Sequence, residues 1–75
     1  MNRQEFLLTI MAEECVEVAQ RISKALRFGL DEVQPGQEFK NSERILGEMM
    51  DLLAVAQMIE QEAGVKLLPD SEFDG

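Results

Sequence analysis

Two long stretches with the 3.6-residue helical period flank one segment rich in chain breakers, and that division limits the fold more than any other feature. From about Asn2 to Phe28 there is neither glycine nor proline, and Phe6, Leu7, Ile10, Met11, Val18, Ile22, Ala25 and Leu26 recur at helical spacing. Lys24 and Arg27 sit in the last turn, where cations suit the macrodipole, and Gly29 stands just past it. The segment Gly29 to Lys40, with Asp31, Pro35 and Gly36, predicts a connection of about twelve residues, long for a helix pair. It has room for one helical turn over Asp31 to Gln34. A second helix is predicted from an N-cap at Asn41 or Ser42, with Glu43 in its first turn, to Gly64. Its apolar positions are Ile45, Leu46, Leu52, Leu53, Val55, Ala56 and Ile59. No stretch alternates long enough to build a sheet. The expected architecture is all-α: two long antiparallel helices joined by a loop, forming one domain over residues 1–66. An acidic, frayed tail is expected over residues 67–75.

The acids do not all lie where acids belong. At ~100° per residue, with Glu14 as zero, Ile10 falls near −40°, Leu7 and Ala25 near 20° and Val18 near 40°. Glu14 is therefore in the middle of an apolar stripe, with Glu17 at its edge near −60°. The second helix repeats this. With Glu48 as zero, Val55, Ile59, Leu52 and Ile45 fall between about −20° and 60°, and Asp51 near −60°. Each helix thus presents an i, i+3 acid pair, Glu14/Glu17 and Glu48/Asp51, in the stripe it should bury. Antiparallel packing through those stripes brings four carboxylates together, a costly arrangement unless they are paired, neutralised or bound to a cation. Salt-bridge pairing is the ordinary reading of one such acid; two matched pairs favour a cation.

Composition narrows the chemistry. The chain has 75 residues, 15 acidic against 7 basic, one cysteine and no histidine, for a formal charge of −8. Without histidine there is no Ser-His-Asp or Cys-His catalysis, and one cysteine makes neither an intrachain disulfide nor a thiolate zinc site. Cys15 has only acids beside it, so a small helix residue is expected there and not a nucleophile. The acid surplus argues against a nucleic-acid polymer as partner. Leu52 to Ala56 is the longest apolar run, far short of the ~20 residues of a membrane span, and a cytoplasmic protein is expected. Oxygen ligands alone suit Mg²⁺, with Mn²⁺ a plausible substitute.

Glu13-Glu14-Cys15-Val16-Glu17 resembles the EExxE element of the MazG-like, all-α nucleoside triphosphate pyrophosphohydrolases, and Glu48-Met49-Met50-Asp51 resembles their ExxD element. The resemblance runs from about Phe6 to Ile59 and takes in Lys24, Arg27-Phe28-Gly29 and Asn41 to Arg44. It implies hydrolysis of an NTP or dNTP to the monophosphate and pyrophosphate, with nucleotide-pool cleansing as a role. Carried over by position, Glu14, Glu17, Glu48 and Asp51 would hold Mg²⁺, and Glu13 or another motif carboxylate would orient the attacking water. The family often has a further helix after the ExxD helix, whereas here a short acidic segment follows Gly64.

Phosphates also call for fixed positive charge. Lys24 and Arg44 are the first candidates, Arg21 and Asn41 the next, while Arg27 lies off that face. Helical pairing with neighbouring acids, such as Arg44 with Glu48, is the competing reading for the cations. Met11, Met49, Met50 and Met58, with Phe6, Leu7 and Ile10, are candidates for a base pocket, although core packing is their ordinary use. Leu46, Met49 and Leu53 form a second stripe on the second helix. Two apolar faces on one helix suggest two partners, hence a bundle completed as a homodimer or homotetramer. A non-catalytic acidic helical module for dimerisation or protein interaction is the alternative from another class. A di-iron carboxylate bundle lacks its Glu-x-x-His ligands.

Overall fold

The computed structural model describes residues 1–69. Helix α1 spans Arg3–Phe28 and helix α2 spans Asn41–Ala63, with no named strand among the described residues. The ends establish an antiparallel pair. Arg3 Nε lies 3.0 Å from Glu62 Oε1 at one end, and Asn41 Nδ2 donates to the Gly29 carbonyl at 2.8 Å at the other.

Local chemistry sets the boundaries of α1. The Asn2 side chain accepts from the Glu5 N–H at 2.8 Å while Glu5 accepts from the Asn2 N–H at 3.1 Å, a reciprocal capping box. At the other end Gly29 adopts φ 97°, reachable without strain only by glycine, and its N–H donates to the Ala25 carbonyl. The start of α2 departs from the expected side-chain cap. Lys40 is the N-cap, and Asn41 and Ser42 already lie within the helix. The orphan N–H groups of Asn41 and Ser42 donate to the carbonyls of Glu32 (2.8 Å) and Leu30 (2.9 Å), while Glu43 accepts from the Lys40 N–H. The loop itself caps the helix.

That task orders the connection. Residues 29–40 hold turns and an antiparallel bridge between Val33 and Lys40, and no helical turn forms over Asp31 to Gln34. Beyond Ala63, Gly64 takes the left-handed conformation, and the Leu67 and Leu68 N–H groups both donate to Glu60 Oε2, at 2.6 and 2.7 Å. Glu60, expected as a surface charge, thereby fastens the chain after α2. These bonds hold its carboxyl below the usual glutamate range. The remainder of the expected tail, from residue 70, lies outside the described residues.

The hydrophobic core within one chain is slight. Leu7, Ala56 and Ile59 are its fully buried apolar residues, and Asn41 is buried beside them at 2 % exposure. Asn41 thus joins the connection to α2 through a part-buried side-chain hydrogen bond. Asn41→Ala leaves the Gly29 carbonyl without that donor, and we expect a loss of about 1–3 kcal/mol in urea unfolding. An unchanged midpoint would contradict this role.

Candidate metal centre

The i, i+3 spacing and the antiparallel register bring acids from both helices to one place. Oxygen atoms of Glu14 on α1 and of Glu48 and Asp51 on α2 all lie within 4.8 Å of one another. Glu14 and Glu48 are half-buried at the helix seam, and Asp51 is exposed at its edge. Glu14 Oε2 is buried with no hydrogen-bond partner. A carboxylate oxygen removed from water and left unpaired is costly, and a coordinated cation would satisfy it.

Burial is the main reason the Glu14 carboxyl is pushed above the usual glutamate range, and the charges of Asp51, Glu48, Glu17 and Glu13 add to the effect. Glu17 is half-buried and close enough to act on Glu14 in this way, but it is outside the set that converges within 4.8 Å. Glu13 is exposed on the outer side of α1. Three of the four expected ligands therefore meet, with Glu17 beside them.

The cations divide between two places. Arg21 Nε lies 3.8 Å from Glu48 Oε1, across the helix pair. It also lines a shallow groove of ≈ 400 Å³ with Gln20, Ser23, Lys24 and Arg27. Arg27, expected off this face, belongs to that groove, and its guanidinium carbon stands 5.1 Å from the Phe28 ring centroid. Arg44 pairs with no acid among the described residues. It lines an open groove of ≈ 540 Å³ with Glu48 and Asp51, alongside Phe39, Glu43, Leu46, Gly47 and Met50. Asn41, the remaining expected substrate contact, is the buried residue bonded to Gly29.

The apolar candidates separate as well. Met50 lines the acid groove, whereas Leu7 is core and Phe6 is exposed. Phe39 was not among the candidates, although an aromatic side chain in a polar connection was a visible signal. Gly47 leaves the groove wall bare: a Cβ there would meet nothing within 4 Å. Comparison of the chain with protein-family models, curated proteins and solved structures gives no match.

The raised Glu14 pKa has a definite consequence for stability. Between the ordinary glutamate pKa and the raised folded value, the folded state holds a proton that the unfolded chain has released. The contribution to stability falls as pH rises through that window and stays low above it. In chelator-treated protein, Glu14→Gln should flatten this decline and raise the melting temperature at neutral pH. A lower melting temperature for the variant, with the slope intact, would contradict the assignment.

Proposed function

We propose that this chain is a Mg²⁺-dependent nucleotide pyrophosphohydrolase that converts an NTP or dNTP to its monophosphate and pyrophosphate. The carrying observation is the meeting of Glu14, Glu48 and Asp51 within 4.8 Å, with a buried, unpartnered Glu14 oxygen among them. The donor set is all carboxylate, which suits a hard cation such as Mg²⁺, or Mn²⁺ in its place. Glu14, Glu48 and Asp51 would hold the ion, with Glu17 close at hand. When bound, it would offset phosphate charge and lower the pKa of a water molecule. The resemblance of Glu13 to Glu17 and of Glu48 to Asp51 to the MazG-like motifs gives the reaction class.

The remaining roles fall to the chain's own side chains. Arg44, beside Glu48 and Asp51 with no acid partner among the described residues, supplies a guanidinium for a phosphate. Arg21 lies next to Glu48 and shares a groove with Lys24 and Arg27, so it links the acids to a second cationic surface. Its pairing with Glu48 lowers the cost of bringing the acids together before substrate arrives. Glu13 or Glu17 would accept a proton from the attacking water. Phe39 and Met50 offer apolar contact for a base in an open groove, an arrangement that favours broad base tolerance.

A panel of NTPs and dNTPs with Mg²⁺, read by pyrophosphate release, tests the reading. Glu48→Gln should lower turnover by about 100-fold or more while the fold persists. Arg44→Ala should chiefly raise KM, by about 10-fold, as expected for loss of one charged hydrogen bond. No release from any substrate, with folded and metal-loaded protein, would overturn it. A non-catalytic dimerisation module is the second reading, favoured by the exposed apolar side chains of both helices. It predicts no turnover with the same folded protein.

A further inference from the structure

Helix α1 carries a second apolar series on its outer surface: Leu8, Ala12, Cys15, Ala19, Ile22 and Leu26. The spacing alternates four and three, so the series keeps to an arc about 80° wide, centred ~120° from Glu14. All six are exposed, Leu26 at 83 %. On α2, Leu46, Met49 and Leu53 lie about 100–160° from Glu48 in the same rotational sense, and they too are exposed. Because the helices are antiparallel, equal rotations from the seam bring both stripes to one side of the hairpin. Glu17, Lys24, Arg44 and Asp51 rotate about 40–80° the other way and belong to the opposite side. The hairpin thus has an uncharged broad face and a charged one.

We infer that the uncharged face is covered by a second copy of this chain, giving a four-helix dimer whose two acidic centres open on opposite outer surfaces. Area supports that occupant. The chain exposes 5620 Å², whereas a compact monomer of its 8.5 kDa exposes about 4,700 Å². The surplus of about 1,000 Å² matches the ~800 Å² that each partner buries in a standard interface. Charge agrees. None of the nine residues is ionisable except the Cys15 thiol, so two chains of formal charge −8 can meet here without opposing carboxylates. An anionic lipid surface would repel so acidic a chain. Ala12, Cys15 and Ala19, small residues in the middle of the series, allow close helix approach at a two-fold axis. In this dimer no residue of the second copy completes the acid groove, so the association stands independently of the catalytic reading.

Light scattering on the eluting 75-residue chain should give twice the 8.5 kDa chain mass. Ala19→Glu, in the middle of the uncharged face, should yield monomer. Ala54→Glu, the same change at an exposed site on the other side of α2, should leave the dimer intact. Alkylation of Cys15 gives a readout that does not depend on the variants: it should slow by about 10-fold or more as protein concentration rises through the dimerisation range. A monomeric mass at high concentration, or a dimer broken by Ala54→Glu and not by Ala19→Glu, would overturn the inference. So would concentration-independent alkylation of Cys15.

Discussion

Glu14 is held at the seam of two helices against Glu48 and Asp51, with one oxygen buried and unbonded. Packing α1 on α2 through their apolar stripes makes this contact unavoidable, since the acids occupy the stripes themselves. Burial and like charge both favour the neutral form of Glu14. The fold tolerates the cost because it is offset locally: Arg21 reaches Glu48 across the seam, and a divalent cation would take up what remains. A pair of helices chosen for stability alone would place leucine at these positions. The polar seam is consistent with a fold that gives up stability to keep a charged centre.

The rest of the molecule is arranged around that seam. A core of three fully buried apolar residues cannot hold two helices in register unaided, so polar devices at the ends contribute. Asn41 and the loop carbonyls of Leu30 and Glu32 fix the start of α2 at one end. The Arg3 to Glu62 pair and the Glu60 acceptor do so at the other. Rotation away from the seam then sorts side chains into a charged face and an uncharged one.

The architecture and the acid cluster were legible because both follow from the period of one helix at a time. Angles about α1 and α2 place Glu14 and Glu48 on the apolar stripes, and antiparallel packing does the rest. What depended on contacts distant in sequence was harder to read. The cap of α2 comes from carbonyls ten or more residues earlier, so Asn41 and Ser42 were natural but mistaken N-cap assignments. Glu60 looked like a solvated acid because its partners, the Leu67 and Leu68 amides, follow a turn at Gly64 that returns the chain. Arg27 lies about 140° from Glu14 on an ideal helix, yet the groove it shares with Lys24 and Arg21 is broad enough to include it. Glu17 is one helical turn from Glu14 but ends beside the converging acids, since its angle points to the rim of the seam.

The central claim is that these carboxylates form a cation site, and Mn²⁺ binding followed by electron paramagnetic resonance tests it most directly. The signal of free aqueous Mn²⁺ should fall saturably as protein is added and return when Mg²⁺ competes. Glu14→Gln should weaken that binding, while Glu5→Gln, an exposed acid of the α1 cap, should leave it unchanged. A weak, unsaturable loss of signal that is the same in all three proteins would mean that the acids meet without holding a metal.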